Sequence, residues 1–597
     1  MARTPDLPAS QLIRFLSAYG PDDRNANLFD EHVTDSARKY HQNPIEFKAE
    51  FVEQIVERLR ANTPYVIFVT GVAGDGKSYH LRKVWSALGG DINDWNQSLD
   101  PTLNPGMAHV SRPIHFVKDL SANDSDAFLP LWEKLKVATT TNESFVIACN
   151  HGQILSRLNA LEATDPKAKQ CVVELQERFF RAVTAGDFLD SFVLFDLSRT
   201  EPSAKLDEII QCIANLKGWE ACEDEACPHL QECPIRKNLR ALWNKGKTGI
   251  AAERLKALVK LSAKDGFHFP VRELLMLAVN AVLGASNAPR PLGNCHLVAE
   301  ILEGTAKNKK VPSIDLFDNL LGTNANLQKS KSVFRRLSHF RIGTQDDPAF
   351  DNFVLTGKTS NEETKSAWER LFGDLEYPPK ANDDSASTLN DELEQRALFL
   401  ARARRRLFFS GEKLPPGLSD ENAIWRLTSC PHFAQYQGLT KAVPDLVVTG
   451  LARIFTGISI KNPDGKIQIT TNGAQSDTPV GELVVADLLA KDRYRKNLSL
   501  RIEPNVAPIL VINPPSGAKS IEFTLTAQRF EYICGVAEGM LPTSFSSQCQ
   551  SEFNALKSKI IRSTEIPFDP TSIEFQLIDE CTISIDPSFL SSSDSQS

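Results

Sequence analysis

The sequence predicts an α/β protein: a parallel sheet covered by helices in the N-terminal part, a helical lid after it, and an α+β domain towards the C-terminus. Three observations carry this expectation. Short apolar runs recur at wide spacing, at 65–69, 113–121, 144–152 and 191–199, with helical or loop segments between them. Strands that alternate with long connections imply parallel pairing with helices on both faces. The first run leads straight into a glycine-rich stretch and then into helical spacing of Leu81, Val84, Trp85 and Leu88. From residue 446 the texture changes to alternating strands.

Composition narrows the class. The chain has 597 residues, enough for several domains. Lys and Arg total 67 against 75 Asp and Glu, a net charge of -8. A globally basic nucleic-acid binder is excluded, and any such contact must be a local patch. The opening MARTPDLPAS has no apolar core of a secretory signal. No run approaches the ~18 apolar residues of a membrane helix, so no membrane association is expected. The 11 cysteines are mostly scattered, which suits a reducing cytoplasm rather than a disulfide scaffold.

In chain order, residues 1–43 read as a lead-in containing the amphipathic stretch QLIRFLSAY. Residues 44–204 are the expected core. It begins with a helix over IEFKAEFVEQIVERLRAN, where Pro44 sits in the favourable first turn and Ile45, Phe47, Phe51, Ile55 and Leu59 form a stripe. Residues 205–290 read as a helical lid: helices at Lys205–Leu216, Thr248–Ala263 and 269–284, with a Cys-rich insert at 218–238. Residues 291–445 are mostly helical, interrupted by a polar loop at 378–391 and followed by the basic helix ELEQRALFLARARRRLFF. Residues 446–590 read as α+β, with a Pro-Asp-Gly turn in ISIKNPDGKIQITT and a helix at SQCQSEFNALKSKIIR. Residues 591–597, SSSDSQS, are an expected disordered tail.

The stretch that organises the chain is YVIFVTGVAGDGKS, residues 65–78. It matches G-x-x-x-x-G-K-S, with Gly71, Gly76, Lys77 and Ser78 in the required places. Strand, glycine loop and helix together make a phosphate-binding loop. The segment Gly71, Val72, Ala73, Gly74, Asp75, Gly76, Lys77, Ser78 and Tyr79 is therefore the candidate nucleotide contact. Backbone N–H groups at a helix N-terminus would face a phosphate. Lys77 would reach the β- and γ-phosphates of ATP, and the Ser78 hydroxyl would bind Mg²⁺.

Such a site needs an acid at the end of a neighbouring strand to hold the metal. Asp119, ending IHFVKD, is the candidate, and Asp196, ending FVLFD, is its rival. Either could equally be a helix or turn cap. Where many NTPases place a catalytic Glu directly after that acid, this chain has Leu120, with Asp124 and Asp126 only nearby. That departure leaves slow turnover open. Asn150, ending FVIACN, could orient the attacking water, or could simply begin a turn. Arg272, at the start of FPVRELLML, could read the γ-phosphate from a lid helix, or be a solvated side chain.

Two further clusters carry chemistry. Cys222, Cys227 and Cys233, with Cys212 or His229 as a fourth ligand, could hold a structural Zn²⁺. The alternative is a small Cys-rich turn of uncoordinated thiols. Arg396, Arg402, Arg404, Arg405 and Arg406 on the basic helix could track a phosphate backbone. The interleaved Leu398, Phe399, Leu400, Leu407 and Phe408 point instead to packing with a salt-bridged polar face. No G-x-S-x-G, H-E-x-x-H or nuclease constellation is present, so DNA cutting would belong to a partner.

Over roughly residues 44–290 the order of loop, Asp119, Asn150 and Arg272 resembles the AAA+ ATPases. More widely, VTGVAGDGKS, FVKDLS, FVIACNHG, CPIRKNL, VREL, ALFLARARRRLFF and GLARIFTG resemble the ATPase subunits of DNA phosphorothioation-dependent restriction systems, the DptF group. The resemblance implies an AAA+-like P-loop NTPase core. It also implies an ATP-dependent subunit of a bacterial antiviral complex, acting on DNA with a nuclease or helicase partner. AAA+ proteins commonly form rings, so a homo-oligomer is a further expectation. An ATP-gated switch, a protein-remodelling ATPase without a DNA role and a small-molecule kinase are the rival readings.

Overall fold

In a computed structural model of the chain, the glycine-rich stretch follows an inner strand of a six-stranded sheet. The structure describes residues 9–21, 37–98, 100–106, 110–120, 125–181, 183–222, 227–284, 295–303, 315–322, 325–373, 375, 386–411, 414–415, 418–420, 422–457, 466–467, 469, 488–489, 497–503, 505–514, 517–541, 546–563, 573–576 and 582–585. The chain divides into two compact units. One comprises Met1–Lys260 with His268–Ser338, the other Leu261–Phe267 with His339–Ser597.

The first unit is built on strands β1 (Val66–Thr70), β2 (Thr102–Leu103), β3 (Ile114–Val117), β4 (Ser144–Cys149), β5 (Ala185–Leu189) and β6 (Phe192–Asp196). Their spatial order is β2-β3-β4-β1-β6-β5. The inner pairs β3·β4, β4·β1 and β1·β6 are parallel, whereas the edge strands β2 and β5 pair antiparallel. The α/β expectation therefore holds as a mixed, mostly parallel sheet. The two edges were not legible: β2 is two residues long, and β5, AGDFL, is polar and glycine-containing.

Both faces of the sheet are covered, so the inner strands are apolar along most of their length. Alternate residues part to the two sides. Ile67, Val69, Phe116, Val146 and Phe195 meet Ile55, Leu59, Leu81, Val84 and Trp85 from helices Val52–Arg60 and Lys77–Ala87. Phe68, Phe145, Ile147, Phe192 and Leu194 meet Trp132, Ile154, Leu158 and Leu175 from helices Ser125–Thr141, His151–Asn159 and Pro166–Phe180. These two layers anchor the loops at the carboxyl edge of the sheet.

One expected element is shorter than its pattern. The helix read from Ile45 begins only at Val52. Backbone groups upstream are taken by side chains instead of by a helical ladder. Tyr79 Oη donates to Phe47 O at 2.7 Å and accepts from Phe47 N at 3.3 Å. Lys205 Nζ donates to Lys48 O at 2.8 Å, and Lys48 N donates to the Glu208 carboxylate. The helices expected within 205–290 follow the pattern, at Pro202–Ala214, Ile250–Lys264 and Val271–Leu283.

In the second unit the basic helix spans Ala386–Ser410, beginning inside the stretch read as a polar loop. A three-stranded antiparallel sheet joins β7 (Leu498–Arg501), β8 (Ile509–Ile512) and β9 (Ile521–Thr524), with helices Ala527–Ala537 and Ser547–Ser563 after it. The expected Pro-Asp-Gly turn at 463–465 lies outside the described residues, and Lys466–Ile467 pairs with Leu488–Leu489. The tail at 591–597 lies outside them too. Among the described residues no helix is long and apolar enough to cross a membrane.

Candidate phosphate-binding site

The loop between β1 and its helix curls because its glycines allow it. Gly76 has φ +84°, and a Cβ on Gly71 would stand 2.7 Å from Asp75 Oδ2. Asp75 is 3% exposed and braces the turn from within. Its Oδ2 accepts from Val72 N at 2.6 Å, and its Oδ1 pairs with His268 Nε2 at 2.7 Å. Arg272 N donates to Gly74 O at 3.1 Å. The segment that opens helix Val271–Leu283 is thus fastened to the loop through both a side chain and the backbone. Asp75, read as a ligand contact from its position in the pattern, spends both oxygens on the loop and His268.

Lys77 is the first residue of its helix. Its Nζ donates to Val72 O at 2.9 Å, Gly71 O at 3.3 Å and Asn150 Oδ1 at 2.6 Å. Burial lowers its pKa from the usual lysine value, opposed by Asp75, Cys149 and Asp119. Burial likewise lowers Arg272. His80, against Gly76 O at 2.9 Å, is brought down to about 4 by burial and is neutral at pH 7. Burial pushes the Cys149 thiol, just before Asn150, up to about 12, so it is no nucleophile.

Asn150 caps helix His151–Asn159, where Gln153 Oε1 accepts from its N–H at 3.1 Å. Because β4 lies between β1 and β3, Asn150 stands between the loop and the end of β3, where Asp119 is exposed. Leu120 turns into the core, 1% exposed. Asp196 is engaged elsewhere. It is fully buried, its Oδ1 accepts from Ser198 Oγ at 2.7 Å and lies 3.0 Å from His151 Nε2, and its Oδ2 is 3.4 Å from Arg199. Its pKa is lowered because these partners outweigh the effect of burial. Between the two acids, Asp119 alone lines the pocket described next.

That pocket has a volume of about 290 Å³, near the lower end of ligand-sized clefts. Ala73, Gly74, Gly76, Lys77, Ser78, Tyr79, Asp119, Asn150 and Arg272 line its polar side. Pro44, Ile45, Phe47, Val271 and Leu275 supply an apolar wall. Sequence reasoning missed this wall, because it assigned Pro44–Phe47 to a helix. The stacking of Phe47 on Tyr79, 4.6 Å between ring centroids, holds the segment there.

The other candidates separate. Cys222, Cys227 and Cys233 line a second, smaller pocket with His229, whereas Cys212 lies apart and its Sγ donates to Glu46 O at 3.0 Å. Among the described residues no group of three His, Cys, Asp or Glu stands arranged to hold a metal ion. On the basic helix, Arg404 forks onto Asp351 at 2.8 and 2.7 Å, Arg406 donates to Leu371 O at 3.1 Å, and Arg405 is 7% exposed. Arg402 is half-buried and Arg396 is exposed. The chain matches no family model, no curated protein and no solved structure.

Proposed function

We propose that the chain is an ATP-binding and ATP-hydrolysing P-loop NTPase of the AAA+ type, acting within a multi-subunit DNA-restriction complex like those of the DptF group. One observation carries the nucleotide reading: Lys77, Ser78, Asp119, Asn150 and Arg272, from separate parts of the sequence, line one pocket beside an apolar wall. The polar side suits a polyphosphate and the wall suits a base. Ser78 and Asp119 would hold Mg²⁺, which neutralises charge on the phosphate oxygens. The loop N–H groups and Lys77 bind and orient the phosphates. Asn150 positions water, and Arg272 contributes positive charge where the transferred group becomes most negative. The DNA and partner part of the reading rests on the motif resemblance. Arg404 and Arg406 are bonded to protein groups, so a DNA contact from that helix would fall chiefly to Arg396.

A second reading is an ATP-gated switch with slow turnover. It is favoured by Leu120, buried where a second acid would stand, and by the grip of Asn150 on Lys77.

Steady-state ATP hydrolysis by the full chain, with and without DNA, beside Lys77→Ala, tests both. The expectation is turnover that rises with DNA and falls by about 100-fold or more in the variant. Binding without turnover in either condition selects the switch. DNA-indifferent turnover would favour protein remodelling, and failure of the wild type to bind ATP would overturn the nucleotide reading.

A further inference from the structure

We propose that Cys222, Cys227, Cys233 and Cys295 form a four-thiolate site for a thiophilic metal, with Cys295 as the fourth ligand. All four line one cavity of about 20 Å³, together with His229. That is room for a single water-sized occupant or a little more. The chain has only 11 cysteines in 597 residues, and four of them face this one gap. The rest of the lining includes Ile13, Trp219, Ile235 and Val298.

Cys222 ends the short turn Lys217–Cys222. In the turn that follows, Cys233 N donates to His229 O at 2.8 Å. Cys233 is the N-cap of helix Pro234–Leu242. The Arg236 guanidinium, on a residue only 6% exposed, stacks over Trp219 at 5.4 Å and adds positive charge beside Cys233. Cys295, at the start of helix Cys295–Leu302, is close enough to the other three thiols to interact electrostatically with each.

Of the other possible fourth ligands, Cys212 lies outside the cavity. His229 Nε2 pairs with Glu303 at 3.3 Å, and Cys212 bonds to Glu46 O. The four thiols are not yet at joint coordination distance, so binding draws them inward. In doing so it ties the Cys-rich insert to a helix more than sixty residues further along, a coupling of metal binding to folding. A single zinc ion accepts four cysteines and suits a gap of this size, whereas an iron–sulfur cluster is too large for it.

The test is the metal content of the full chain purified without oxygen, measured as zinc, iron and acid-labile sulfide, beside Cys295→Ser, Cys295→His and Cys212→Ser. We expect about one zinc per chain, without matching iron and sulfide. Cys295→Ser should lose about nine-tenths of it, Cys295→His should keep a substantial part, and Cys212→Ser should match the wild type. Should Cys295→Ser fail to fold, thiol alkylation of the wild type followed by mass spectrometry decides. The four cysteines should be protected together and become reactive together on chelation, with Cys212 indifferent to the chelator. A metal-free wild type that takes up no zinc on reconstitution, or a wild type that carries iron and sulfide instead, would overturn the proposal. So would a Cys295→Ser variant that retains the metal, or four thiols whose reactivity ignores the chelator.

Discussion

Lys77 is held by two carbonyls and one side-chain amide, and the amide belongs to Asn150, 73 residues away. Lys77 was readable from the glycine-loop spacing and Asn150 from its place at a strand end, but their contact was not. A side-chain bond across two strands depends on strand order. The same holds for Asp119 and Asp196, which the sequence left as rivals. Three local partners engage Asp196 and leave Asp119 to face the pocket. A residue with no sequence signature at all is His432. Its Nδ1 lies 2.8 Å from Glu531 and its Nε2 lies 2.9 Å from Glu538. The Glu531 carboxylate, with Glu538, raises its pKa to about 9, against the effect of burial. A histidine raised above its unfolded value of 6.5 contributes stability that is fully present below pH 6.5 and is lost as pH rises through about 9. Burial pushes Glu531 up as well, and the cost of ionising that carboxyl accrues on the acid side of this window. Urea midpoints of the full chain should therefore fall between pH 6.5 and 9 in the wild type, and His432→Gln should be less stable at the low end and flatter across the window. Parallel profiles would refute the assignment.

At the scale of elements, periodicity located the parallel strands because both faces are buried. It failed at the edges and at Pro44–Phe47. The stripe of Ile45, Phe47 and Phe51 has helical spacing, yet Tyr79, Lys205 and Glu208 satisfy the backbone before a helix can. Tertiary hydrogen bonds outcompeted a local pattern, and the result is the apolar wall of the pocket. Tyr79→Phe keeps the ring stacking and removes both bonds to Phe47. It leaves a buried carbonyl unpaired, at a cost of about 1–3 kcal/mol. ATP affinity should weaken by roughly 5- to 100-fold if that cost falls wholly on the bound form. Fluorescence titration of a nucleotide analogue checks this, and an unchanged Kd would detach the Pro44–Phe47 segment from the site.

At the scale of the whole molecule, the pocket residues all belong to the first of the two units. Ligand that binds only the folded state stabilises by about 2.7 kcal/mol at a hundredfold excess over Kd. Calorimetry of the full chain should show Mg–ATP raising a transition that Lys77→Ala leaves unmoved, while a second transition stays in place in both. An equal shift of every transition would show that the units unfold together. The sequence by itself determined the loop, the inner strands of the sheet and the helices within 205–290, because glycine spacing and apolar runs act within a few residues. Only the tertiary structure decided that Asp119 rather than Asp196 faces Lys77, that Asp75 is a brace, that Arg404 and Arg406 bond inward, and that Cys295 rather than Cys212 joins the cysteine cluster. Those outcomes depend on which distant segments share a surface, and no local spacing encodes that.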